Sequence, residues 1–210
     1  MRTDDLIKAI AADTGRKEAP IGRTWLLCVT AGFMLAALVF GVLLGPRPDF
    51  QAVLSTIRFP LKFLLVAILL ASTIPLVQAL AHPGARPPMW AALAAPTAVV
   101  IAVLVELSVL PREAWVSSWI GTNLWVCLTY IPLIGLGPLA IMIVALRKGA
   151  PTRPVLTGAM AGVVAGGVAA MFYAAHCTDD SPLFVAAWYS IAIGILAGVG
   201  ALAGRYALRW

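Results

Sequence analysis

The residues of this chain that could do chemistry are few, and they gather around its cysteines. There are 3 cysteines, at positions 28, 127 and 177, with no C-x-x-C pair and no zinc-finger spacing. Cys177 stands in the stretch AAHCTDDSP, beside His176, Asp179 and Asp180. Cys127 and Cys177 could oxidise to a disulfide if their Cα atoms approach within about 4.4–6.8 Å. They could instead bind zinc or a heavier soft metal, with His176 and the carboxylate of Asp179 or Asp180 nearby. The plain alternative is two unrelated small residues. No Ser/His/Asp set, H-E-x-x-H motif or phosphate loop occurs, so the chain reads as a non-enzyme with no certain cofactor.

Whether those residues can meet depends on the elements that carry them, and composition sets the class of those elements. The chain is 61% hydrophobic and 11% charged, whereas soluble domains are about 45–50% apolar and about 25% charged. Six apolar runs, near residues 24–45, 61–81, 89–107, 124–146, 155–175 and 183–204, approach the length of about 20 residues that a bilayer requires. Hydrocarbon offers no partner to backbone polar groups, so runs of this length form helices. Proline- and glycine-rich breaks such as GPRPDF, HPGARPP and RKGAPTRP separate them. The fold expected is an all-α integral membrane protein, a bundle of six transmembrane helices over 24–210. A short cytoplasmic N-terminal segment, 1–23, precedes it. The first run is too long for a signal-peptide core and reads as a retained helix.

Charge orients the bundle. With both termini in the cytoplasm, only Arg47, Arg58, Lys62 and Arg112 of the 15 Lys and Arg fall on the opposite side. The same bias explains the net charge of +6 without nucleic acid as a direct partner. In this orientation Cys127 lies about one helical turn below the outer face, at about 1.5 Å rise per residue. Cys177 emerges on the same face, where the compartment is oxidising in bacteria. Cys28, near the inner end of the first span, reads as a small buried residue.

Lys62, Gln78, His82 and Glu106 lie near span ends and are expected to reach an interface by snorkelling. A small transporter or channel is the leading alternative class, but few residues could line a polar path. A membrane thiol oxidoreductase would want a cycling C-x-x-C, which the separated cysteines do not provide. Gly158, Gly162 and Gly166, then Gly194/Gly198 and Gly200/Gly204, recur at four-residue spacing. Small residues so spaced let helix backbones approach, either within the bundle or in a homodimer. Asp179-Asp180-Ser181-Pro182 reads as a turn and N-cap for the sixth helix, with Pro182 at its first position.

The N-terminal segment has its own pattern. Thr3, Asp4 and Asp5 suit a helix N-terminus, and Leu6, Ile7 and Ile10 follow as a narrow apolar stripe. An amphipathic helix of about ten residues is marginal alone in water and gains stability by docking. Asp4 and Asp5 oppose an anionic lipid surface, which favours a protein groove.

TDDLIKAIAAD, ALRKGAPTRP and above all HCTDDSPLFVAAWYSIAIG resemble the NrsF family of six-span anti-sigma factors, over essentially the whole chain. The resemblance implies an inner-membrane protein of a Gram-negative bacterium. Its cytoplasmic N-terminal segment would hold an extracytoplasmic-function (ECF) sigma factor of the SigF type inactive. The family's two periplasmic cysteines, implicated in sensing oxidant or heavy-metal stress, fall by motif position on Cys127 and Cys177. Its N-terminal acidic and aliphatic motif falls on Thr3, Asp4, Asp5, Leu6 and Ile7.

Overall fold

In a computed structural model the structure describes residue 3 and residues 21–82, 85 and 87–208. Among the described residues six helical stretches are long and apolar enough to cross a membrane, and their main α-helices are α1 (Ile21–Leu43), α2 (Arg58–Leu80), α3 (Ala94–Val109), α4 (Leu124–Leu146), α5 (Pro154–Tyr173) and α6 (Ser190–Ala207). A 3-10 turn, Met89–Leu93, leads into α3, and a π-helical turn, Val185–Tyr189, leads into α6. A short helix, Trp115–Ile120, precedes α4 and stops at Gly121, whose φ of +63° suits glycine. Every expected run has its helix, with ends displaced by a few residues. The displacement matters at α2, which begins three residues before the expected Leu61 and so takes Lys62 into its second turn.

Packing centres on α5, the most buried span. Its glycines make that position available. A Cβ on Gly158 would fall on the Gly200 carbonyl, and one on Gly162 on the Leu196 carbonyl; one on Gly204 would fall on the Pro154 carbonyl. Backbone therefore meets backbone between α5 and α6. For helices set among lipid tails, which give no hydrophobic reason to associate, such close contact would supply the cohesion. Gly167 faces Leu70 of α2, and Gly135 of α4 faces Leu196 and Ala165. The glycines at 158, 162, 200 and 204 thus pack within the bundle, as their spacing suggested. A Cβ on Gly194 or Gly198 would meet nothing within 4 Å among the described residues. On the other flank α1 lies against α4 and α5, with Phe33 and Phe40 both beside Phe172 at ring distances of 4.7 and 5.9 Å. Cys28 is only half-buried, contrary to expectation, because this part of α1 has a face outside the bundle.

Candidate functional site

The segment 174–181, between α5 and α6, is held by every neighbouring element at its end of the bundle. After Tyr173 the chain makes one more turn: His176 N and Cys177 N donate to the Tyr173 carbonyl at 2.9 and 3.0 Å. That turn folds Cys177 back over the helix end, where it is fully buried. Ser181 then caps the next helix, its hydroxyl accepting from Leu183 N at 3.3 Å with Pro182 at the first position, as expected.

Four sets of contacts pin the loop. From the segment after α1, Arg47 N donates to the Ala175 carbonyl at 3.0 Å, and His176 Nδ1 donates to the Gly45 carbonyl at 3.0 Å. The Arg47 guanidinium reaches the Cys177 carbonyl at 3.3 Å and Asp180 at 3.1 Å, while gripping Asp49 bidentately at 2.6 and 2.7 Å. From α2, Lys62 Nζ donates to the Cys177 carbonyl at 2.7 Å and to Asp180 Oδ1 at 2.5 Å. Glu106 of α3 accepts from Ser181 Oγ at 3.3 Å and pairs with Arg58 at 3.0 Å. At the start of α4, Asp179 accepts from Thr122 N at 3.0 Å, Asn123 N at 2.7 Å and Asn123 Nδ2 at 3.0 Å. A carboxylate set on exposed N–H groups at a helix N-terminus is favourably placed.

Cys127 lies in the first turn of α4, its N donating to the Asn123 carbonyl at 2.8 Å. Cys127 and Cys177 are both fully buried, unbridged thiols. They lie within electrostatic reach of each other and of Asp179. Tyr173 and Tyr189 neighbour both, their rings 5.7 Å apart, and the buried Tyr189 hydroxyl has no hydrogen-bond partner among the described residues. Burial pushes the Cys177 thiol up, against the opposing charge of Lys62. On the rim, the hydrogen bond to Asp49 leads the causes raising Arg47, and its counterpart lowers Asp49. A polar hollow of about 460 Å³ above the loop is lined by Arg58, Ser117, Thr178, Asp179 and Asp180 among others.

The structure thus brings Cys127, Cys177, His176, Asp179 and Asp180 to one end of the bundle, but gives them separate tasks. His176 serves Gly45, Asp179 serves α4, and Asp180 serves Lys62 and Arg47. Among the described residues no group of three or more His, Cys, Asp or Glu could hold a metal ion. A ligand set drawn from Cys127, Cys177 and His176 is therefore not assembled. The snorkelling expectation fails for two residues. Lys62 is 1% and Glu106 7% exposed, because Lys62 turns to the largely buried Asp180 and Glu106 is covered while pairing with the half-exposed Arg58. Arg47, Arg58, Asn123, Tyr173 and Tyr189 were missed. The available signal was charge: four basic residues on the side of the Asp179–Asp180 turn, one of them inside an apolar run. Asp4, Asp5, Leu6, Ile7 and Ile10 lie outside the described residues, and Thr3 is exposed.

Residues 10–210 match the family model described as negative regulator of sigma F, NrsF. The anti-sigma-F factor NrsF of Caulobacter vibrioides is 36% identical over 216 residues, with all of both chains covered. The probable anti-sigma-F factor NrsF of Azospira oryzae is 33% identical over 217 residues, again with full coverage. No solved structure matches.

Proposed function

The chain belongs to the NrsF family of negative regulators of sigma F, and from that membership we propose a membrane-bound switch with two ends. Its cytoplasmic N-terminal segment sequesters an ECF sigma factor, and its buried cysteine pair, facing the periplasm of a Gram-negative cell, releases that factor under oxidant or heavy-metal stress. Leu6, Ile7 and Ile10 enter an apolar groove on the sigma factor, while Thr3 starts the docked helix and Asp4 and Asp5 meet basic residues beside it. The uneven distribution of Lys and Arg supports an inner-membrane orientation with both termini inside.

The observation that carries this reading is the position of α1. One end of α1 continues into the N-terminal segment. Just past the other, Gly45 and Arg47 are bonded directly to the loop that holds Cys177. A two-electron oxidant would join the sulfurs of Cys127 and Cys177, taking two electrons while two protons leave. Drawing Cys177 toward α4 would pull on the bonds to Gly45 and Arg47 and so on α1. Reversing a 99:1 bound population needs about 5.5 kcal/mol of differential affinity. A disulfide contributes typically about 2–4 kcal/mol, so other loop contacts must change with it.

A transport role finds less support. The interior along α5 is filled by glycine and alanine, and the buried charges among the described residues, Arg47, Lys62 and Glu106, share one end of the bundle. The test is co-purification with the cognate sigma factor. Leu6→Asp is expected to abolish capture. Cys127→Ser and Cys177→Ser are expected to preserve capture but block its loss on oxidation. Capture that survives Leu6→Asp refutes the docking segment, and normal release from both serine variants refutes the sensor.

A further inference from the structure

Lys62 is an unusual residue to find inside α2, because an ammonium buried in a membrane-spanning bundle is costly unless fully partnered. Its partners are few and close together. Nζ donates to the Cys177 carbonyl at 2.7 Å and Asp180 Oδ1 at 2.5 Å, and lies 4.7 Å from the centre of the Phe59 ring. Both hydrogen-bond acceptors belong to the one loop between α5 and α6. Arg47 contacts the same two groups, but it also holds Asp49 through two further bonds. The two cations therefore differ in what loop movement does to them. Arg47 keeps a directly bonded counter-ion when the loop lifts, whereas Lys62 loses both of its hydrogen-bond acceptors and keeps only the Phe59 ring and the more distant, water-exposed charge of Asp49.

We infer that Lys62 is the latch of the Cys177 loop, a positioning residue whose need for Asp180 keeps the loop seated and Cys177 shielded. It rests on the reading of Cys177 as the responsive thiol for its regulatory meaning, while the seating of the loop can be measured without any signal. Through Asp180, Lys62 sets how far the loop opens before an oxidant or metal reaches the sulfur. Signalling chemistry must overcome this latch, or begin in the brief openings it allows.

The latch predicts an unusual pattern of rescue. Asp180→Ala strips Lys62 of its counter-ion, so the loop no longer satisfies it and opens. Adding Lys62→Met removes the charge that had been stranded, and the loop settles again. Adding Arg47→Met instead brings no relief, because Arg47 still has Asp49. The measurement is the rate at which N-ethylmaleimide labels Cys177 in the full chain in detergent micelles, followed by peptide mass spectrometry. Cys28, half-buried on α1, is the internal reference.

Asp180→Ala is expected to raise Cys177 labelling by at least about tenfold over wild type with Cys28 unchanged, and Lys62→Met to reverse most of that rise. Should Asp180→Ala be too unstable to purify, Lys62→Met is expected to restore a monodisperse protein where Arg47→Met does not. Three outcomes overturn the latch: no increase in Asp180→Ala, equal increases at Cys28 and Cys177, or rescue by Arg47→Met as complete as by Lys62→Met. Normal stress release from the cysteine variants would remove the sensor reading and leave these labelling results standing.

Discussion

Replacing Arg47 with methionine should separate sensing from release. In the intact protein the Arg47 side chain ties the segment after α1 to the Cys177 loop, through the Cys177 carbonyl at 3.3 Å and Asp180 at 3.1 Å. Its pair with Asp49 is exposed to water on the Asp49 side and adds little. The bond that counts is the one to Asp180, partly buried and charge-assisted, and such bonds contribute about 1.5–3 kcal/mol. Asp180 keeps Lys62, so the substitution strands no carboxylate. A loss of about 2 kcal/mol lowers the melting temperature of a chain this size by about 4–8 °C. Sigma-factor binding by the reduced protein should be unchanged, since the N-terminal segment is untouched. Disulfide formation between Cys127 and Cys177 should also proceed. The ratio of reduced to oxidised affinity, however, should fall by about tenfold, equal to about 1.4 kcal/mol of lost coupling. It should not fall to unity, because the Arg47 N–Ala175 bond and the His176–Gly45 bond remain. Binding of fluorescent sigma factor to the reconstituted protein, before and after oxidation, reads both affinities. Full redox-dependent release from Arg47→Met would refute α1 as the route.

The glycine faces give a paired control. Gly162→Ala places a methyl on the Leu196 carbonyl of α6 and should destabilise by about 1–3 kcal/mol, whereas Gly198→Ala meets open space and should lie within about 0.5 kcal/mol of wild type in detergent unfolding. At the other contact of the loop, Asp179→Ala removes the acceptor of Thr122 N and Asn123 N and should cost about 2–3 kcal/mol. A melting temperature within about 1 °C of wild type would deny that role for Asp179.

What could be read in the sequence follows from which forces are local. The six spans were legible because hydrocarbon compels long apolar runs to be helical, whatever their neighbours. Ser181 and Pro182 were legible as a helix start because a cap is a contact between adjacent residues. Gly158 and Gly162 were legible as a close-packing face, although not which helix they would meet. Lys62 departs from the snorkelling expectation because its partner stands 118 residues away in the chain. Nothing local distinguishes a lysine that reaches an interface from one that turns inward to a carboxylate. Gly121 shows the same limit. A Cβ there would strike Asp179 and Phe184, and that crowding exists only once the loop after α5 has closed over the start of α4. The charge balance at this end of the bundle was in the composition, but its pairing was not.

The direction of any motion follows from how the spans are packed. The α5–α6 pair is locked backbone to backbone through Gly158, Gly162, Gly200 and Gly204, so a pull on the loop between them cannot easily slide one past the other. The α4 helix is held by Asp179 at its start and by Gly135 against α5 and α6. The α1 and α3 spans are the least buried: 17% of the apolar stretch of each is buried, against 61% in α5. Glu106 of α3 touches the loop, as do Gly45 and Arg47 in the segment just after α1. Of these two peripheral spans, only α1 continues into the N-terminal segment. In the proposed switch, a strain created at Cys177 would reach a helix with a face outside the bundle, and the chain before that helix holds the residues proposed to bind the sigma factor. In the proposed switch the lock in the core would give direction: a fully loose bundle would dissipate the strain, and a fully locked one would not respond.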